Sequence, residues 1–453
     1  MKKYLITLTS LLIVIASLFL PPPPGLSRDG FIMLAILLMA VILWLTEAIP
    51  LAATGLLILA LQPLLGIASA QEVFSSFGNR AVFFILASFM LMAAVEKHAL
   101  HKKMAAHFLR IFGSSPKMFI IGVALTGCLF SFFMQAHGVA AMLLPLCLEI
   151  VIITKVVPKE SNFGVATMLS LAYGTGIGSW GTLLGGARNP LTIAFLDEIG
   201  YSISFLDWIK ICMPIVFLTL PLVIFIILRL YPPEVEDIEK AVKEAEQSIS
   251  RGMTKEEKGV LAVFAATVLL WIFFSDEIGV AVIALLAVSS LFIFHLIEWE
   301  DVEKRVQWGI ILVYGGAITM GINLADTGAA RWLADGILNI SPNKYVILLL
   351  IMLLTFLLTN LMSNTAAVAT MLPISLSAAL KAGISPVIAA MATATAGGVA
   401  FMFVVGTPAM AIAYSSGYLK QHHIFKAGII AGMMSIAIIF LMAIFYWEKV
   451  LHL

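Results

Sequence analysis

Charged side chains are scarce in this chain. Asp, Glu, Lys and Arg make up 12% of its 453 residues, whereas 61% of the residues are hydrophobic. A soluble domain normally carries about 25% charged residues, and the mean hydropathy here is +1.05. The composition excludes a water-soluble globular fold and predicts an all-α polytopic membrane protein.

An excess of one charge sign is also missing. The 27 Lys and Arg residues nearly balance the 26 Asp and Glu residues, which leaves a net charge of +1. No nucleic-acid partner is predicted, and any affinity for an anion must be local.

Cysteine is also rare: Cys128, Cys147 and Cys212 lie in apolar runs without metal-ligand spacing. They are expected to be small core residues, and no cofactor is predicted.

Apolar runs long enough to cross a bilayer recur along the chain. We predict about 11 transmembrane helices and two re-entrant helical hairpins, at about 116–154 and 342–380, where long apolar stretches carry a polar centre. The predicted transmembrane helices are residues 4–20, 31–48, 51–68, 79–97, 163–182, 206–230, 257–274, 277–296, 306–325, 387–408 and 426–448.

A charged segment near the middle divides the chain. Residues 231–256 carry mixed charges at helical spacing and are predicted to form a solvated cytoplasmic linker. They separate a first repeat at 31–230, preceded by a first transmembrane helix and loop at 1–30, from a second repeat at 257–453. The charged start of the chain resembles a signal peptide, but it lacks a clear cleavage site, so we expect the first helix to remain.

Lysine and arginine fall on one side of the predicted membrane. Residues on this side include Lys2, Lys3, Lys102, Lys103, Arg110, Lys155, Lys159, Lys304, Arg305, Lys420 and Lys426. Short loops rich in these residues stay in the cytoplasm. We therefore expect a cytoplasmic N-terminus in an integral protein of a prokaryotic cytoplasmic (inner) membrane.

Ser363-Asn364-Thr365 interrupts an apolar run and is the strongest functional signal. An interrupted helix at bilayer depth survives only where protein or a water-filled cavity satisfies its backbone groups. Ser, Asn and Thr are good N-cap residues, and the helix that they open would direct free N–H groups towards an anion. The alternative is a polar patch that holds two helices together.

The first half contains a counterpart of this motif. Residues 134–145 correspond to 362–373 at one fixed offset, and residues 185–189 correspond to 406–410 after a Gly-rich helix in each half. The amphipathic pieces 96–108 and 325–337 also correspond, with Glu96 and Asp326 expected at helix starts. An odd number of spans separates the halves, so we expect inverted repeats, which are typical of secondary transporters with a binding site at the midplane.

With these motifs the whole chain resembles the divalent anion:sodium symporter family. That family includes sodium-coupled dicarboxylate, citrate and sulfate carriers and some sodium-independent exchangers. The resemblance implies two hairpins that enter from opposite faces, with both tips contacting the substrate anion. It further implies sodium sites at nearby carbonyls and side chains, a homodimer, and a transport domain that moves against a scaffold domain like an elevator.

The two halves match the family pattern unequally. In the second half, the resemblance assigns Ser363, Asn364, Thr365, Thr407 and Pro408 to the substrate. It assigns a sodium ion to Thr359, Asn364 and Gly406.

The first half departs from the pattern. Its tip reads Gln135, Ala136 and His137, of which Gln135 and His137 are expected to contact the substrate, and Ser131 and Asn189 remain from the first sodium site. Arg188 stands where the family has proline.

Arg188 carries the clearest consequence of this departure. A fixed cation at membrane depth is costly and usually functional, and its guanidinium can donate a bidentate fork to a carboxylate or sulfate. We predict that Arg188 contacts the substrate and replaces the first sodium ion; the alternative is that it snorkels to water. For His137 the alternatives are donation to the anion and neutral packing against the opposing helix.

The predicted function is secondary active transport of a small divalent or multivalent anion, such as succinate, citrate or sulfate. Sodium symport through at least the second site is favoured, and sodium-independent exchange is the alternative. Two remoter alternatives are an anion channel and an intramembrane enzyme that uses His137 with Ser131 or Ser363, although no nucleophile spacing supports the enzyme. The residues leave the identity of the anion open.

Overall fold

A computed structural model of the protein describes residues 2–98, 100, 103, 111–113, 115–242 and 252–453. Within these ranges the chain is helical and contains no β-strand. The labelled α-helices, in chain order, are α1 (Lys2–Ser17), α2 (Arg28–Thr46), α3 (Leu51–Leu64), α4 (Ala70–Ser75), α5 (Arg80–Lys97), α6 (Pro116–Phe130), α7 (Ala136–Ile153), α8 (Asn162–Gly178), α9 (Arg188–Glu198), α10 (Phe205–Leu230), α11 (Lys255–Ile278), α12 (Val280–Ile293), α13 (Trp299–Arg305), α14 (Trp308–Asp326), α15 (Ala329–Leu338), α16 (Lys344–Leu361), α17 (Asn364–Ala382), α18 (Pro386–Ala396), α19 (Pro408–Ser415) and α20 (Gln421–Met442).

The membrane-protein class is confirmed by these helices. In the described part of the chain, eight helices are long and apolar enough to cross a bilayer, or nine if the bent pair Ala70–Gly78 and Arg80–Lys97 is one span. Five further apolar helices are shorter. The count of about 11 spans and the inverted relation of the two halves stay predictions.

Two helical hairpins occupy the long apolar stretches. Helices α6 and α7 are joined by residues 131–135, and α16 and α17 by residues 362–363. Each hairpin therefore turns at the polar centre seen in the sequence. The second turn is the tighter one, because Met362 adopts an extended conformation and Ser363 caps α17 directly.

A broken helix follows each hairpin. Helix α8 stops at Gly178 and α9 starts at Arg188, while α18 stops at Ala396 and α19 starts at Pro408. The predicted extent of the helix at 387–408 was wrong, because α18 ends at Ala396, about ten residues before the predicted break at 406–410. The side chain of Asn360 explains the early stop, because its Oδ1 accepts from the Met402 N–H at 2.8 Å and its Nδ2 donates to the Val399 carbonyl at 3.0 Å.

The expected helix starts at Glu96 and Asp326 were also wrong. Glu96 lies in the last turn of α5 and Asp326 is the last residue of α14, so both stand at helix ends rather than helix starts. Residues 239–242 of the predicted linker are helical. Residues 243–251 of that linker, most of the amphipathic piece 96–108, and Lys102 and Arg110 lie outside the described residues.

Close helix packing depends on small residues, as is usual in membranes. At Gly174 of α8, an added Cβ would lie 2.5 Å from the Ala124 carbonyl oxygen of α6 and 2.7 Å from its Cα. Both atoms belong to backbone, which cannot swing aside. By contrast, a Cβ added at Gly336 of α15 would meet nothing within 4 Å.

This difference gives a prediction about stability. Gly174→Ala should destabilise the protein by about 1–3 kcal/mol, because α6 and α8 must separate. The matched change Gly336→Ala should stabilise it by up to about 1 kcal/mol, because alanine restricts the unfolded chain and favours helix. Thermal denaturation in detergent measures both variants. Equal apparent Tm values for the two variants would contradict this packing.

Candidate functional site

Four helices begin at one cavity. The first residues of α7, α9, α17 and α19, namely Ala136, Arg188, Asn364 and Pro408, all line a cavity with about 350 Å³ of space for water. The first N–H groups of a helix lack partners within the helix, and its N-terminus carries roughly half a positive charge. The Ala136 N–H already donates to the Gly185 carbonyl at 3.3 Å, and Pro408 has no N–H. The shared contribution of the four starts is therefore the positive end of each helix dipole, which favours an anion in the cavity.

The second tip lies at this cavity as a capped helix start. Ser363, Asn364 and Thr365 all line it, together with Thr407 and Pro408 of the second break. Ser363 is the N-cap of α17, and its hydroxyl accepts from the Ala366 N–H at 3.3 Å. The cap leaves the N–H groups of the following residues at the cavity wall.

The first tip lines the same cavity with different chemistry. Gln135 occupies the N-cap position of α7 without capping the helix, and its Nε2 is buried with no hydrogen-bond partner in the structure. A buried polar atom of this kind calls for a partner. The Nε2 of His137 forms a hydrogen bond with the Gln307 amide next to α14. His137 therefore both lines the cavity and packs against the opposing helix.

Arg188 is buried, with 3% of its surface exposed, so the snorkelling alternative was wrong. Its Nε donates to the Ala394 carbonyl at 3.0 Å and its Nη2 to the Ser179 hydroxyl at 2.8 Å. Among the residues that the structure describes, no carboxylate forms an ion pair with Arg188. A buried cation without a counter-charge is unfavourable. An anion in the cavity would supply that charge.

Oxygen atoms cluster behind the second tip. The Thr359 hydroxyl in the last turn of α16 lies 2.6 Å from the Gly397 carbonyl, just after α18, and 3.0 Å from Asn364 Oδ1. An added Cβ on Gly406 would lie 3.0 Å from the Thr359 carbonyl oxygen, so this backbone comes close as well. Carbonyls at the C-terminal ends of broken helices are typical sodium ligands in transporters.

The corresponding place in the first half is arranged differently. The Ser131 hydroxyl is buried without a partner, and Asn189 donates to the carbonyls of Ser179 and Thr182 at 2.8 and 2.7 Å. Neither Ser131 nor Asn189 lines the cavity. Asn189 instead binds the segment between α8 and α9. The Ser179 hydroxyl accepts a hydrogen bond from Arg188.

Sequence reasoning missed the opposite wall of the cavity. This wall contains Gln307 and the apolar side chains of Trp44, Leu51, Ile310 and Val313. These residues come from α2, α3 and α14, which are remote in sequence from both tips. Gln307 offered one usable signal, since it is a polar N-cap residue directly before an apolar helix.

A smaller cavity adjoins the first one behind His137. It shares Gln135, His137 and Gln307 with the larger cavity and reaches Glu96 and Arg305. Arg305 donates to Asp301 at 2.7 Å. Burial raises the pKa of Asp301, but the hydrogen bond from Lys97 and further contacts outweigh burial and hold that pKa below its usual value. This carboxylate therefore stays charged and keeps Arg305 paired.

The described part of this helical membrane protein combines three features at one cavity. They are helix starts, the buried Arg188 guanidinium without a carboxylate partner, and a cluster of oxygen atoms. This combination is typical of a secondary transporter of anions. The chain belongs to the sodium:sulfate symporter family, since residues 1–453 match that family's transmembrane region. It is thus a transporter and not an enzyme. The enzyme alternative with His137 and Ser131 or Ser363 was wrong.

Several relatives of this chain are transporters of bacteria. The sodium-dependent dicarboxylate transporter SdcS of Staphylococcus saprophyticus is 30% identical to this chain and aligns with 97% of the chain and 90% of the relative. SdcS of Staphylococcus aureus USA300 is 28% identical over 94% of this chain and 87% of the relative. An uncharacterized transporter of Haemophilus influenzae is 28% identical over 92% of both proteins.

A solved structure supports the fold alone. The crystal structure of the Alcanivorax borkumensis YdaH transporter, described as having an unusual topology, superposes with a TM-score of 0.57 at 13% identity. The superposition covers 92% of this chain and 97% of that transporter.

The cavity should be open to water, and cysteine labelling measures this. Thr365→Cys should react rapidly with a charged maleimide, because residue 365 lines the cavity. Ser435→Cys, fully buried in α20, should not react. The three native cysteines are buried and should give little background. Equally slow labelling at both positions would contradict an open cavity.

Proposed function

We propose that this transporter carries a dicarboxylate and that one sodium ion, bound in the second half, moves with it. The observation that carries the proposal is the buried guanidinium of Arg188, which faces a cavity lined by four helix starts and has no carboxylate partner among the described residues. A substrate carboxylate would accept from Arg188 and from the helix N–H groups. The second carboxylate of the same substrate would lie at the N-termini of the remaining helices that line the cavity.

An organic dianion fits the cavity better than sulfate does. The cavity offers about 350 Å³, and the wall opposite the tips is mainly apolar. Polar groups on one side and apolar side chains on the other are typical of sites for small organic ligands. The two SdcS relatives are sodium-dependent dicarboxylate transporters, which supports the same choice. Citrate and sulfate are the competing substrates that a test must include.

Sodium is the proposed coupling ion, at the oxygen cluster of Thr359, Asn364 and the Gly397 carbonyl, close to Gly406. A cation there would lie behind the N-terminus of α17. It would stabilise the second tip in the conformation that binds the anion. In the first half, Arg188 supplies a permanent charge beside Ser179. We therefore propose one sodium site rather than two.

Alternating access is proposed to follow the elevator scheme. The hairpins and broken helices that carry the site would move as one transport domain against a wall formed by α2, α3 and α14. We further propose a homodimer in a bacterial inner membrane with the N-terminus in the cytoplasm. The bacterial relatives support that membrane, and the lysine-rich side of the chain supports that orientation.

Sodium-independent exchange is the second candidate function. It is favoured by Arg188, which supplies fixed positive charge at the first break and could serve without a cation. Counterflow of labelled succinate in sodium-free proteoliposomes separates the two candidates. Symport predicts little counterflow until sodium is added. Saturable counterflow without sodium would contradict obligatory symport and support exchange.

The role of Arg188 can be tested with a charge-removing variant. Arg188→Gln should weaken succinate binding by roughly 100-fold or more, because a buried carboxylate would lose its charged partner. Arg331→Gln, the same change at an exposed position in α15, should leave binding unchanged. Ligand-induced shifts in apparent Tm measure binding in both variants. Similar affinities for the two would remove Arg188 from the substrate site.

The sodium site can be tested with two hydroxyl deletions. Thr359→Val keeps the side-chain shape but removes an oxygen from the proposed cluster, so sodium should no longer strengthen succinate binding. Ser131→Ala removes the corresponding hydroxyl of the first half and should preserve the sodium effect. Succinate titrations with sodium or choline as the cation measure both. A sodium effect that is lost in Ser131→Ala and kept in Thr359→Val would reverse the assignment.

A further inference from the structure

An apolar groove lies beside the first hairpin tip. It offers about 410 Å³, and its lining includes Phe133, Met134, Leu261, Phe264, Ala265 and Leu269. All of these side chains are apolar. The groove is separate from the anion site and plays no part in the proposed transport chemistry.

One wall of the groove faces outwards. Helix α11 supplies this wall, and only 22% of its most apolar window is buried. Its lining residues Leu261 and Leu269 are 37% and 55% exposed. The opposite wall includes the tip residues Phe133 and Met134, and the Phe133 ring meets the Phe264 ring edge-on with centroids 5.9 Å apart. In a membrane, such a groove is open to lipid chains.

The Lys258 side chain places a positive charge on the same face of α11 as the groove, about one turn before Leu261. Lys258 is exposed and lies three residues before Leu261 and seven before Ala265, so all three share one face of α11. No described residue forms an ion pair with Lys258. Glu256 lies two residues earlier and points to a different face, whereas Glu257 is bound by Lys103 at 2.8 Å. On the face of α11 that lines the groove, the nearest charge is therefore positive. Glu96, next to Val95 in α5, lines the smaller cavity on the other side of Met92 and Phe133.

We propose that this groove holds the acyl chain of an anionic phospholipid whose phosphate contacts Lys258. An acyl chain matches the wholly apolar lining, and a lysine near the membrane surface attracts an anionic headgroup. A second copy of this chain is the competing occupant, and the test below distinguishes it from lipid. The bound chain would pack on Phe133 and Met134, directly before Gln135 of the anion site.

The test compares two adjacent alanines in α11. Ala265 lines the groove, whereas Ala266 is exposed outside it. The purified protein is mixed with phosphatidylglycerol or phosphatidylcholine of identical acyl chains, and native mass spectrometry counts the bound lipids. Ala265→Trp should lower the affinity for both lipids at least about tenfold, because the indole displaces several methylene groups. Ala266→Trp should bind lipid like the wild type.

A second variant, Lys258→Ala, tests the contact between the lipid headgroup and this lysine. Lys258→Ala should lower the affinity for phosphatidylglycerol about fivefold and leave phosphatidylcholine binding unchanged. Equal lipid binding by Ala265→Trp and Ala266→Trp would overturn the proposal. So would a loss of dimers in Ala265→Trp with unchanged lipid binding, because the occupant would then be a second copy. Should Ala265→Trp fail to fold, Leu269→Trp blocks the same groove from an exposed position.

Discussion

The fold depends on satisfying backbone groups where helices end inside the membrane. Each buried helix end frees N–H or C=O groups that lipid cannot satisfy. Protein side chains satisfy part of them here: Asn360 binds the segment after α18, and Asn189 binds the segment after α8. The starts of α7, α9, α17 and α19 line the cavity, where the positive ends of their helix dipoles favour an anion. The same constraint therefore explains both the helix breaks and the binding site.

The two halves differ in how positive charge can be placed beside the substrate anion. In the second half, the Thr359 hydroxyl lies beside Asn364 Oδ1 and the Gly397 carbonyl, where we propose that a transient cation binds. In the first half, Arg188 brings a permanent one, held by the Ser179 hydroxyl and the Ala394 carbonyl. Because Ala394 belongs to α18 of the second half, this guanidinium also ties the two broken helices together. A charge that never leaves can attract the substrate but cannot couple its movement to an ion gradient.

Much of this arrangement followed from local sequence. The polar tip at Ser363 and the Gln135 to His137 tip predicted where the chain turns, because N-cap residues and breaks act over a few positions. The end of α18 was mispredicted because Asn360, far away in sequence, captures its freed backbone. The apolar wall was missed for a similar reason: a residue on an ordinary apolar helix gives no sign that it faces a cavity formed by other helices.

The dependence of dicarboxylate binding on sodium concentration reports most directly how many sodium ions accompany the anion. In a titration of the wild-type protein, the slope of log affinity against log sodium concentration equals the number of sodium ions taken up with each substrate. A site in which Arg188 replaces one sodium ion predicts a slope close to one. A slope close to two would mean that a sodium ion still binds in the first half, and it would contradict the replacement.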